Sequence, residues 1–112
     1  MEVNKYGDAV VVSPTVRNPE VDIVEWERAI EWAIDQQPNV LVFDCAYLDL
    51  VTSMGLVFFL ATHTRALENN LSFRICNLRP HVERSVRAAR LHRLLHIYPT
   101  LDDALADCAK VG

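Results

Sequence analysis

The chain has 112 residues, a net charge of −4 and apolar residues at 51 % of its positions. That length suits one domain over residues 1–112 with a single core and is too short for two. The acidic balance argues against a nucleic-acid partner, because phosphate binding needs a concentrated basic face, and no apolar run approaches the roughly 18 residues of a membrane span. The opening residues MEVNKYGD hold no basic segment followed by an apolar one. They read as no secretory signal, so a cytoplasmic protein without direct membrane insertion is expected.

In chain order, VNKYG and DAVVVSP read as two strands joined in a hairpin through Gly7 and Asp8, the second ended by Pro14. From Val21 to Gln37 the period changes: Ile23, Trp26, Ile30, Ala33 and Ile34 recur at steps of three and four, predicting an amphipathic helix closed by Pro38. The continuous apolar run NVLVFDC predicts a strand buried on both faces. A second helix is expected from about Ser53 to Asn69, with Leu56, Phe59, Leu60, His63 and Leu67 on its core stripe. LSFRICN, HVERSVRAARLH and LLHIYPT follow as strand, helix and short strand. The closing TLDDALADCAKV shows capping-box spacing between Thr100 and Asp103. The order ββαβαβαβα predicts an α/β domain: a mixed, mostly parallel sheet of about five strands covered by four helices.

Cys45, Cys76 and Cys108 are far apart in apolar segments, so buried free thiols are expected rather than a metal or redox site. His92 and His96 have a spacing that could bind metal on one helix, but a strand start falls between them and no third ligand is near, so no metal site is assigned. His63, among leucines, is read as a core histidine. Arg79, Arg84, Arg87, Arg90 and Arg93 give the third helix a basic face, read as solvated. With glycine only at 7, 55 and 112, the chain has no phosphate-binding loop, and no nucleophile elbow surrounds Ser53. Neither an enzyme nor a cofactor is implied.

The stretch DLVTSMGL, Asp49 to Leu56, places two hydroxyls at the start of the second helix. Asp49 or Thr52 can cap the free N–H groups of the first turn. Ser53 or Thr52 is also placed to carry a phosphate, whose negative charge would meet the positive end of the helix dipole.

The run VLVFDCAYLDLVTSMGLVFFL together with FRICNLRPHVERSVRAARLHRLLHIYPTLDDALA resembles the STAS domain, the fold of bacterial anti-sigma factor antagonists and of the cytoplasmic tails of sulfate transporters. The resemblance spans nearly the whole chain and implies a STAS-like fold. It also implies a binding protein of a partner-switching pathway, phosphorylated at the D-S-[ST]-G loop by an anti-sigma factor or another GHKL-type serine kinase. A PP2C-type phosphatase would restore it, and a homodimer is compatible. Aligned on Gly55 and Leu56, Ser53 matches the first hydroxyl and is the implied phosphoacceptor, with Thr52 the second candidate. Thr52 stands where the family has an acid, and Met54 replaces the second hydroxyl; Asp49 is a nearby source of negative charge. The implied partner surface comprises Arg17 and Asn18 in SPTVRNPEVD, with Asp49, Thr52, Met54, Gly55 and the outward-pointing Val57 and Phe58. The alternative is a STAS subunit without phosphoregulation, serving a lipid transporter or a stress-signalling scaffold.

Overall fold

Apolar side chains on both sides of a strand demand cover on both sides of the sheet, and the chain supplies it unequally. The computed structural model describes residues 1–15 and 19–108. Strands β1 (Glu2–Tyr6), β2 (Ala9–Ser13), β3 (Val40–Asp44), β4 (Ser72–Cys76) and β5 (His96–Tyr98) form one sheet in the order β1-β2-β3-β4-β5. β1 and β2 are antiparallel, with Tyr6 opposite Ala9 across the turn at Gly7 and Asp8; the other neighbours are parallel. Gly7 has φ 60°, a backbone conformation that glycine adopts without steric cost. The expected mixed, mostly parallel five-stranded sheet is thus the observed one.

Helices α1 (Pro19–Asp35), α2 (Ser53–Glu68), α3 (Pro80–Ala88) and α4 (Leu101–Leu105) complete the expected order. Along each strand successive side chains take opposite faces. Val10, Val12, Leu41, Phe43, Phe73 and Ile75 join one buried core with Ile23, Trp26 and Ile30 of α1, Phe58 and Phe59 of α2, and Val82 and Val86 of α3. Ala9, Val11, Val40, Val42 and Cys76 form a smaller core on the other face with Ala104, Leu105 and Cys108. The three cysteines are free and buried, as expected. Burial pushes the Cys45 thiol up and the Cys76 thiol up to about 12, with the Asp44 carboxylate adding to both shifts.

The smaller core contains a cation that periodicity did not reveal. Arg74 lies within β4, opposite Val42, with its side chain almost entirely covered. Its Nη1 donates to the Ala104 carbonyl at 2.7 Å, its Nη2 to Asp107 Oδ2 at 3.0 Å, and its Nε to Ser72 Oγ at 3.2 Å. The guanidinium carbon also sits 5.6 Å from the Tyr98 ring centroid. A buried guanidinium is tolerable only with its donors occupied, so these bonds hold α4 and the residues after it against the sheet.

Three expectations need correction. Leu60 and Leu67, expected on the core stripe of α2, are exposed. Phe58, expected to face outward, is buried with 5 % exposure. The reason is α1, which packs alongside α2 and widens its buried arc to Gly55, Phe58, Phe59, Thr62, His63 and Ala66. Phe58 stacks in a cluster with Trp26, Phe43 and Phe59, ring centroids 5.4 to 6.0 Å away. Finally, α3 stops at Ala88 rather than reaching His92, because Arg90 takes φ 61° and a short 3-10 turn, Leu91–Arg93, leads into β5. Among the described residues no helix is long and apolar enough to cross a membrane.

Candidate functional site

The junction between β3 and α2 forms at the carboxyl ends of the central strands, where parallel α/β sheets ordinarily present their binding loops. Asp44, the last residue of β3, turns the chain. Its Oδ1 accepts from the Ala46 amide at 3.1 Å and from Asn77 Nδ2 at 3.0 Å. The Cys45 amide donates to the Cys76 carbonyl at 2.9 Å, and the Leu48 amide to the Cys45 carbonyl at 3.0 Å. Leu48 is fully buried beneath the loop, leaving Tyr47 and Leu50 exposed. Asn77 has φ 57°, which asparagine tolerates better than most residues.

A second tether comes from the start of α3. Arg79 Nη1 donates to the Ala46 carbonyl at 3.3 Å, and its Nε pairs with Asp49 Oδ1 at 3.3 Å. Asp49 therefore does not cap α2. Thr52 does: its backbone is extended, and its Oγ1 accepts from the Gly55 amide at 3.4 Å. No acid occupies the first turn of α2. Gly55 is buried against Val51, so the loop's last apolar residue rests directly on the helix backbone.

Ser53 follows the cap as the first residue of α2 and is exposed. It lies on a groove of about 450 Å³ between α1 and α2. Ile23, Met54, Val57, Phe58 and Ala61 line that groove with apolar surface; Glu27, Glu31 and Arg65 supply charge. Thus Ser53, Met54, Val57 and Phe58 converge on one concave surface, with Met54 and Val57 exposed and Phe58 forming part of its buried wall. Thr52 and Gly55 shape the backbone beneath it, and Asp49 lies in the tethered loop. Arg17 and Asn18 lie outside the described residues. His92 and His96 fall on different elements, and the His96 ring neighbours that of the buried His63, centroids 6.2 Å apart.

The positioning roles of Asp44 and Asn77 escaped the sequence reading, and Arg79, expected on a solvated basic helix face, instead precedes α3 and tethers the loop. Their signal was weak: a lone asparagine between an apolar strand and Arg79-Pro80, whose partner lies 33 positions away.

A family model described as STAS domain matches residues 4–104, and the chain belongs to that family. Its fold is similar to that of an anti-sigma factor antagonist from Mycobacterium paratuberculosis, with TM-score 0.84 and 28 % identity over 94 % of this chain and 89 % of that one. It is also similar to a putative anti-sigma factor antagonist from Thermotoga maritima, with TM-score 0.82 and 15 % identity over 95 % and 92 % of the two chains. RsbS from Moorella thermoacetica gives TM-score 0.78 and 18 % identity over 93 % and 92 %. No curated protein matches the sequence.

Proposed function

We propose that this chain is a phosphorylation-switched binding protein of a bacterial partner-switching pathway, acting as an anti-sigma factor antagonist with Ser53 as phosphoacceptor. The observation that carries the reading is the position of Ser53: exposed, one residue past the cap, on the rim of an apolar groove. Thr52 provides the capping oxygen, so a phosphate on Ser53 leaves that bond intact and alters the surface alone. The similarity to the mycobacterial anti-sigma factor antagonist supports the same reading.

The switch works through desolvation. Unphosphorylated Ser53 joins Met54 and Val57 in an interface with an anti-sigma factor or another GHKL-type kinase. Phosphate places about two negative charges in an interface built for a neutral hydroxyl. A penalty of about 3 kcal/mol weakens binding more than a hundredfold. A PP2C-type phosphatase resets the protein, which resides in the cytoplasm and needs no cofactor.

One observation favours a second reading, a STAS subunit without phosphoregulation in a lipid-transporter or stress-signalling assembly. The first turn of α2 lacks the family's acid, and Thr52, which stands in its place, is engaged as the cap. Incubation with candidate kinases followed by mass spectrometry separates the two. Label on Ser53, lost in Ser53→Ala, supports the switch; label on neither Ser53 nor Thr52 with every kinase of the source genome would sink it.

A further inference from the structure

Ser53, Val57, Leu60, Thr64 and Leu67 are all exposed on α2. Their spacings alternate between four and three residues, the period that keeps one helix in continuous contact with another. Val57 and Leu67 are 65 % and 64 % exposed, and from Ser53 to Thr64 the helix carries no Asp, Glu, Lys or Arg. A helix that faces only water ordinarily puts charges on that side. The stripe adjoins the groove, because Ser53 and Val57 belong to both.

The opposite wall of the groove supplies the charge. Glu27 and Glu31 project from α1 one turn apart, and neither has a side-chain hydrogen bond or ion pair among the described residues. Among the described residues Arg65 is the one basic residue lining the groove, and it pairs with neither. Two carboxylates against one arginine leave the groove beside this uncharged helical stripe with a net negative charge.

We infer that this stripe and groove dock an amphipathic helix of the partner, whose apolar residues cover Val57, Leu60 and Leu67 and whose lysines or arginines reach Glu27 and Glu31. The inference rests on the reading of the Ser53 end as the partner surface, and it specifies the chemistry of what binds there. A second copy fits poorly: docked antiparallel through the same stripe, its Glu27 and Glu31 fall on the same side of the seam, and like charges meet. Phosphate on Ser53 enters at the first position of the stripe, beneath an apolar partner residue, whereas the two glutamates act on cations at the flank.

The test uses the unphosphorylated full chain and two fluorescent synthetic helices of about 20 residues, long enough to hold helical structure. Both carry leucine at the stripe spacing; one has lysines on its flanks and the other glutamates. Fluorescence anisotropy should show the lysine peptide binding at least about tenfold more tightly than the glutamate peptide. Glu27→Gln with Glu31→Gln should remove most of that preference. Val57→Asp should weaken the lysine peptide about tenfold or more while circular dichroism and the thermal midpoint stay unchanged. Equal binding of the two peptides, binding of neither, or a preference that survives both glutamine substitutions overturns the inference. So does a Val57-dependent dimer in sedimentation that the lysine peptide fails to dissociate. Kinase labelling of Ser53 reports on the switch separately: no label with the lysine preference intact removes the switch and leaves the docking surface, and the reverse pattern does the opposite.

Discussion

A methyl group at Gly55 would fall 2.2 Å from Val51 Cγ2, so the loop before α2 and the first turn of that helix occupy the same small space. Glycine is required here by close approach, not by φ. Alanine would gain about 1 kcal/mol of helix propensity but must push aside a β-branched side chain with little rotamer freedom, at about 1–3 kcal/mol. Gly55→Ala is therefore expected to lower stability by about 1 kcal/mol in urea unfolding. In a Val51→Ala background the same change should be neutral or stabilising, and the double-mutant cycle measures the contact.

Phe58 and Val57 are neighbours in sequence with opposite duties. Phe58→Ala removes a ring held between Trp26, Phe43 and Phe59 and should cost about 3–5 kcal/mol of folding stability. Val57→Asp should change stability by no more than about 0.5 kcal/mol, because the side chain is exposed. Equal losses on thermal unfolding would mean that α2 is rotated from this orientation.

The cap offers a direct probe of the absent acid. The Thr52 bond to the Gly55 amide is long, at 3.4 Å, and the first turn of α2 has no negative charge. Thr52→Asp keeps an acceptor at the cap and adds a carboxylate at the positive end of the helix. A gain of about 0.5–1 kcal/mol is expected at neutral pH, disappearing as the new carboxyl protonates. Thermal melts at two pH values check it.

Asn77 serves the loop twice, through its bond to Asp44 and through its positive φ. Asn77→Gly keeps the backbone conformation and loses the bond, for an expected cost of about 1 kcal/mol. Asn77→Ala adds backbone strain and should cost about 1 kcal/mol more. Hydrogen exchange of the Ala46 and Leu48 amides should rise in both variants.

The Arg74–Asp107 pair sets a pH dependence. The Arg74 guanidinium holds the Asp107 carboxyl below its ordinary value of 3.8. A carboxyl lowered in the folded state contributes stability that is fully present above its unfolded value and is lost as the pH falls through the folded value. The stability gap between the natural chain and Asp107→Asn should therefore be constant near neutrality, shrink below about pH 4 and close at lower pH. A gap that widened on acidification would contradict the assigned pairing. Urea midpoints across this range supply the measurement.

Much of the fold was legible locally. The apolar runs of β2 and β3, the three-and-four spacing of α1, the turn at Gly7 and the Thr100 cap depend on residues close in sequence, and each appears where expected. The hydroxyl junction at Thr52 and Ser53 was legible for the same reason, since a helix start is written in a few adjacent residues. The resolution between the two capping candidates was not: Asp49 was taken by Arg79, a residue 30 positions later.

What the sequence by itself determined is the set of elements, their order and the residue types at the α2 entrance, because backbone propensity and side-chain periodicity act over a few residues. Which way α2 faces was decided only in three dimensions. Burial depends on what packs alongside, and α1 drew Phe58 inward while leaving Leu60 and Leu67 in solvent. The tertiary structure likewise chose the partner of Arg74, tied the loop through Asp44, Asn77 and Arg79, and set Glu27 and Glu31 across a groove from Ser53. Each of these joins residues distant in the chain, where the free energy of contact exists only once the sheet has brought its crossover helices together.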